Sequence, residues 1–373
     1  MKKVLSFILI SIVIGVITGG FLVLDRYRRN PEQIVPYPYE FATEAPAIKL
    51  EAPILIAGDR MGAHFAKFKE ELANTISVNL SNNIKIQSMA KPGHGLHRTL
   101  HELRSLSQWP QILIYQGGSE EFRERKFELS SIPKISTNFK RYQDDKIETF
   151  LILYPWLSRL VYEPMNRTQL PDSPKLLEDV TQKEYLKRLE TELLLYEQLL
   201  IQLANTSKAR GSLLILTTTP INLDILPREV CDFTSNLEIE KEILDLRALL
   251  KAKNPKTAYA RSSKLIKRFT GNAGLLFIHG QISQRLGLID EARISLREAS
   301  AYDCNPWRTT EVYNSIIRKV ARDQQVILFD FAKLVEREFG KGPTFFDEIY
   351  AQNLFYERGM QQLGLVIKAI LKL

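Results

Sequence analysis

The chain carries few side chains able to do acid–base or metal chemistry, and where they fall is the first constraint on its function. Its five histidines are His64, His94, His97, His101 and His279, so none lies beyond residue 279. His97 and His101 are four apart and would share one helix face, with Glu102 beside them and His94 placed as a geometrically possible third metal ligand. The plainer expectation is an exposed polar helix start, with no metal and no other cofactor. His64 is expected on a helix surface, with a nearby carboxylate as the alternative partner. Cys231 follows Pro-Arg-Glu-Val with no histidine close in sequence, and Cys304 is the only other cysteine. One bridge is possible; a disulfide framework and a CxxC zinc site are excluded.

The elements that must position these groups read as an α/β sheet. Five short apolar runs, at 54–57, 84–89, 111–115, 213–217 and 326–329, have the look of buried parallel strands with helical patterns between them. The first three are spaced as compact βαβ units. The two later gaps are far longer than a sheet needs, so both must hold structured insertions. In the first, residues 183–203 place Leu186, Leu189, Leu193, Leu200 and Leu203 at helical spacing, with Lys187, Glu190 and Glu197 opposite. The stretch 123–182 is mixed in charge and broken by prolines, and no site is assigned to it. The second insertion, 237–304, is helical throughout. Gly280, Leu286-Gly287, Glu291-Ala292, Ala299 and Pro306 fall near the small residues and closing proline of a tetratricopeptide unit, which cannot bury its own faces and must pack on a neighbour. Either a helical hairpin covering the core or a partner-binding groove would result.

The amino terminus is of another kind. Val4 to Leu24 is an uncharged run of 21 residues, which as a helix would span ~30 Å, a bilayer's hydrocarbon thickness. A signal peptide has a shorter apolar core, and no cysteine follows to support lipoprotein processing. An uncleaved anchor is therefore expected over 1–30, followed by an extended linker over 31–50, with prolines at 31, 36, 38 and 46. The soluble part divides into 51–236, the insertion 237–304, and 305–373. With 45% apolar and 25% charged residues the composition is that of a globular protein, and the +8 net charge suits work near anionic lipid or cell-wall polymer at least as well as nucleic-acid binding; no nucleic-acid partner is expected.

At the strand ends the residues resemble a family. Ile54-Leu-Ile-Ala-Gly-Asp-Arg60 resembles the Gly-Asp-Ser turn of the SGNH (GDSL-like) hydrolases. Met89-Ala-Lys-Pro-Gly93-His-Gly95 resembles their second block, whose glycine helps form the oxyanion hole. Ile114-Tyr-Gln-Gly117-Gly118-Ser119-Glu120 resembles the third, normally Gly-x-Asn-Asp or Gly-Gly-Asn-Glu. Phe345-Phe-Asp347-Glu-Ile-Tyr350, with Gly359 downstream and an amphipathic approach over 308–330, resembles the closing Asp-x-x-His block. The resemblance covers about 55–110, 111–122, 212–222 and 305–373, in order. It implies a three-layer flavodoxin-like fold: a parallel sheet of about five strands, helices on both faces, a tetratricopeptide-like insertion, and here an N-terminal transmembrane helix.

The chemistry that the resemblance implies is missing its parts. Arg60 stands where the nucleophile should be, and a guanidinium stays protonated. The asparagine donor position holds Ser119 or Glu120, and a carboxylate there opposes an oxyanion. The histidine position holds Tyr350 in one register and Leu354 in the other, neither a suitable base. Gly93 and Asp347 complete the degenerate set. The cleft residues Asp59, Arg60, Gly95, Gly118, Ser119 and Glu120 could still bind an anion, but Arg60 has Asp59, Glu120 and Asp347 as acidic partners that would seal it. The expected protein is a pseudo-hydrolase anchored in a bacterial cytoplasmic membrane with its soluble domain in the periplasm, acting as a scaffold for an envelope membrane-protein partner. The rivals are a divergent acyltransferase using Ser119 with His94, and an anion sensor built on Arg60.

Overall fold

The computed structural model describes residues 2–29, 37–78, 84–163, 165–175, 181–227, 237–303 and 308–371. Cys231, Cys304, Pro306, residue 30 of the expected anchor and residues 31–36 of the expected linker lie outside them. The strands are β1 (Tyr39–Phe41), β2 (Ile54–Gly58), β3 (Ile86–Ser88), β4 (Ile112–Gln116), β5 (Thr168–Leu170), β6 (Leu213–Thr217) and β7 (Ile327–Phe329). The helices begin with α1 (Lys2–Arg29), α2 (Arg60–Phe65), α3 (Lys69–Ser77) and α4 (Leu96–Arg104). The first long connection holds α5 (Ile132–Tyr142), α6 (Asp145–Leu153), α7 (Pro155–Val161) and α8 (Gln182–Ala209). The second holds α9 (Leu237–Lys251), α10 (Pro255–Arg268), α11 (Ala273–Arg285), α12 (Ile289–Ala301) and α13 (Glu311–Asp323), and α14 (Phe331–Glu336) and α15 (Asn353–Leu371) follow β7.

The main sheet is wholly parallel with order β3-β2-β4-β6-β7, the flavodoxin-like order. Its central strands β2, β4 and β6 are buried on both faces, and their residue types divide between the two. Leu55, Leu113 and Leu214 sit in register on one face, where α4, α5, α8 and α13 pack. Ile54, Ile56, Ile112, Ile114 and Ile215 face α2, α3, α14 and α15 on the other. Each of the five apolar runs expected to be strands forms one. Both long gaps are structured, as the loop-length argument required.

Two features were not anticipated. β1 pairs in parallel with β5, and Tyr37 and Tyr39 are buried in the leucine-side core. Part of the segment expected to be a free linker is therefore core, because its aromatics have more apolar surface to bury than an exposed tether tolerates. The insertion is two helical hairpins, α9–α10 and α11–α12. Its inner core is Leu246, Ala258, Leu265, Leu275, Ile278 and Ile282. Its outer core joins Phe277 and Leu296 to Leu223 and Phe339 of the α/β part, so the hairpins are docked rather than free-standing.

Among the described residues no helix is long and apolar enough to cross a membrane. The described side chains of α1 are those of 8–23, and Ile8, Ile14, Val16 and Phe21 among them are exposed. α1 touches α6 and α8.

Gly58 fixes how closely β2 and β4 can end. Its φ is +140°, and a Cβ there would lie 1.7 Å from the Gln116 carbonyl oxygen. Gly280 is also crowded, but chiefly by a side chain, with Leu296 Cγ at 2.6 Å and Cδ2 at 2.7 Å and the Ala292 carbonyl oxygen at 3.2 Å. Gly58→Ala is expected to cost about 3 kcal/mol or more, because backbone must move. Gly280→Ala should cost about 1 kcal/mol, because Leu296 can turn away. Denaturant unfolding of the full chain in detergent measures both, and equal costs would contradict the packing described.

Candidate functional site

In a parallel sheet of this order the ligand crevice opens beyond the carboxyl ends of the strands where the winding reverses, between β2 and β4. The segments singled out by the sequence meet there. Gly58-Asp59-Arg60 leaves β2, and Gly117-Gly118-Ser119-Glu120 leaves β4. Asp59 is buried and holds both segments. Its Oδ1 accepts from the Met61 amide at 2.8 Å, capping α2, and its Oδ2 accepts from the Ser119 amide at 2.6 Å and from Ser119 Oγ at 2.8 Å. Burial, and then the Glu120 charge, raise the Asp59 carboxyl to about 6.

Arg60 opens α2 and turns onto Glu120, Nε to Oε1 at 3.4 Å. Glu120 is buried and takes a second guanidinium, Arg123 Nη1 at 2.8 Å. Both arginines meet Glu120, while Asp59 is held by the Met61 and Ser119 donors. The partner of Arg60 is thus one of the three acids that the sequence offered. Ser119 is committed to Asp59, while His94 lies 3.5 Å from Glu102, so these two have different partners.

The closing block arrives from the other side. Asp347 Oδ1 accepts from the amides of Ile349 at 2.7 Å and Tyr350 at 2.6 Å, and Asn222 Nδ2 donates to its carbonyl at 2.9 Å, tying the block to the loop after β6. Tyr350 stacks on His64, ring centroids 4.2 Å apart, and His64 meets Tyr356 edge-on at 4.7 Å. Burial raises the Tyr350 phenol, with Arg60 pulling the other way and Asp347, Asp59 and Glu120 adding to the rise. His64 is therefore not the surface residue expected: three aromatic neighbours, including Phe68 at 5.8 Å, draw it inward. Leu354, the alternative register, is an exposed residue of α15. Between Met61, Thr219, Asn222, Thr309 and Ile349 the remaining cavity is about 10 Å³, the lower limit for one water.

Gly95 precedes α4, the second block's helix. The next amide, Leu96, donates to Glu121 Oε1 at 2.8 Å, so a buried carboxylate occupies the start of that helix. Burial lifts Glu121 to about 7. Behind it lies a charge cluster that the sequence patterning did not reveal. Lys126 Nζ is 2.6 Å from Glu192 Oε2 and donates to the Glu121 carbonyl at 2.7 Å, while Arg188 donates to the Phe127 carbonyl at 2.9 Å. All of these side chains are buried. The signal was present: Tyr185, Arg188, Glu192, Leu195, Leu199 and Leu203 form one helical stripe, and two of its members are charged.

The histidine pair also departs from expectation. His97 is buried, not exposed, with Nε2 2.7 Å from Glu124 Oε2, and Arg98 Nε donates to the same oxygen at 2.8 Å. His101 stacks on Phe41 at 4.0 Å and reaches the Thr43 carbonyl at 3.1 Å. The three histidines thus have three separate partners. Burial, then Lys126, lowers His97 to about 3; burial works against ionised Glu124, but hydrogen bonds from His97 and Arg98 bring it to about 2. A serine–histidine–glutamate set does occur in the insertion, with Ser262 Oγ 2.8 Å from His279 Nδ1 and His279 Nε2 3.0 Å from Glu291 Oε1. Ser262 is wholly buried, so the set bolts α10, α11 and α12 together and meets no substrate.

Burial, then Lys67, lowers His64 to about 4 from 6.5. The unfolded chain binds that proton below about pH 6.5 and the folded chain does not until about pH 4, so this residue makes stability fall as the pH drops between them. Asp59 and Glu121, with raised values, act in the opposite direction in any variant that keeps them. His64→Phe should keep the stack on Tyr350 and remove the histidine contribution. Thermal melts at pH 7 and pH 5 should show a smaller acid destabilisation in the variant; an equal loss would mean that His64 is protonated in the fold.

No family model matches the chain, and no curated protein does. Among solved structures it is similar to one of a peptidoglycan O-acetylesterase, at 10% identity over 78% of this chain and 49% of that one, with a TM-score of 0.31. The chain spans about half the length of that protein.

Proposed function

We propose that this protein is a pseudo-hydrolase with the SGNH arrangement, held by residues 4–24 in a bacterial cytoplasmic membrane, whose periplasmic domain serves as a scaffold for an envelope membrane protein. One observation carries the loss of catalysis: Arg60, at the nucleophile position of the resemblance, is paired with buried Glu120 at the place where an oxyanion donor is needed. Two more support it. Tyr350 occupies the base position against a ring of aromatics, and Glu121 already takes the Leu96 amide beside the second block.

The binding role rests on what the insertion leaves uncovered. Leu237 and Leu244 are seven apart on α9, share one face, and are among the most exposed large apolar residues of the described chain. A helix that packs its other face on a tetratricopeptide-like core and keeps this one bare has the form of a partner surface. Anchoring confines the search to two dimensions and raises the effective concentration of any membrane partner.

Two experiments bear on the two halves. Arg60→Ser with Tyr350→His should not give esterase turnover above background on p-nitrophenyl acetate, because Glu120 still opposes the developing oxyanion. Strong turnover would show that the site is preorganised and favour the divergent enzyme. For the scaffold, tagged full-length protein is isolated in mild detergent beside Arg60→Ala and the pair Leu237→Asp, Leu244→Asp. A defined membrane protein should co-purify with Arg60→Ala and be lost from the α9 pair; retention by the pair removes α9 from the interface, and loss on Arg60→Ala alone turns the reading to the cleft.

A further inference from the structure

α6 and α7 turn outward residues that water does not favour. Leu151 is fully buried, yet Phe150 beside it is 54% exposed, and its ring packs on exposed Tyr154 at 5.2 Å. On α7, Trp156 is 63% and Leu160 74% exposed; they stand four apart on one face with exposed Arg159 beside them. Lys146, also exposed, stands four residues before Phe150. Each of two consecutive short helices therefore offers large apolar tips together with one basic side chain. A face made for a protein core would exclude Lys146 and Arg159. A bilayer interface takes both kinds: aromatic rings at headgroup depth, aliphatic tips below them, and basic ends reaching back to phosphate. The second observation is one of place. α1 touches α6, so this patch adjoins the helix that carries the exposed apolar run.

We infer that the α6–α7 hairpin is a second, monotopic contact with the phospholipid bilayer, in which Phe150, Trp156 and Leu160 enter the interfacial layer and Lys146 and Arg159 meet lipid phosphates. This rests on the reading of 4–24 as a membrane anchor. With helices of nine and seven residues the hairpin is too short to span and lies flat on the surface. Two contacts, unlike one, fix the rotation of the domain about the anchor axis.

The test uses the full-length chain in vesicles of phosphatidylcholine and phosphatidylglycerol whose acyl chains carry bromine just below the headgroup. The chain has three tryptophans, so quenching is compared with Trp156→Phe, a substitution at an exposed position that preserves the fold. The bromolipid-quenched emission should fall at least twofold in Trp156→Phe, and Leu160→Asp should weaken quenching of Trp156 by a similar factor. Equal quenching with and without Trp156 overturns the inference and leaves the anchor standing. So does a Trp156 that is shielded from aqueous iodide but untouched by bromolipid, which would mean that protein covers the patch. Failure of the chain to float with the vesicles overturns the anchor reading itself, and the inference with it.

Discussion

The buried carboxylate of Asp59 is the interaction on which the architecture of the cleft depends. One oxygen starts α2 and the other ties down the loop after β4, so the two strand ends that frame the crevice are joined through a single side chain. Gly58 lets the strands approach closely enough for that join. The neighbouring groups take their places from it: Arg60 is carried to Glu120, Ser119 is turned away from solvent, and the closing block settles its Tyr350 on His64. The carboxylate does this at an electrostatic cost, visible in its raised pKa, which the three hydrogen bonds it accepts offset.

On the proposed reading, this geometry would be a catalytic crevice closed without disturbing the sheet below it. The side chains at the strand ends satisfy one another: acid against base, ring against ring, carboxylate against helix amide. Each pairing occupies a group that acid–base or oxyanion chemistry would need free. The charge cluster of Glu121, Lys126, Glu192 and Arg188 extends this behind the crevice, filling with ion pairs a layer that the rest of α8 fills with leucine. Removing one partner from such a set strands a buried charge, so the cluster locks the helices to one arrangement.

Much of the fold was legible because the central strands β2, β4 and β6, buried on both faces, write apolar runs, and the edge runs at 84–89 and 326–329 became strands beside them. The long gaps were legible as insertions by length, and the four insertion helices by period. The cleft was legible in its residues, since Asp59, Arg60, Ser119, Glu120 and Tyr350 do converge. What escaped reading depended on contacts far apart in sequence. β1 is three residues long and finds its partner, β5, more than a hundred residues later. His97 looked exposed because its neighbours are polar, and Glu124, the group that makes its burial tolerable, stood in a stretch with no clear period. The α6–α7 patch escaped for the same reason, its apolar residues being divided by Pro155 between two short helices.

The burial of Tyr37 and Tyr39 has a mechanical consequence. α1 ends at Arg29 and the chain is held in the domain by Tyr37, so only seven residues of sequence, 30–36, separate helix from core. Even fully extended, that length reaches roughly 25 Å. If α1 lies in a bilayer as proposed, the domain would be a float on a short mooring: it would drift in the plane, but its working height would be bounded. A partner would then have to bring its own binding face to that height, so companions would be sorted by the elevation of their surfaces before any side chain is compared.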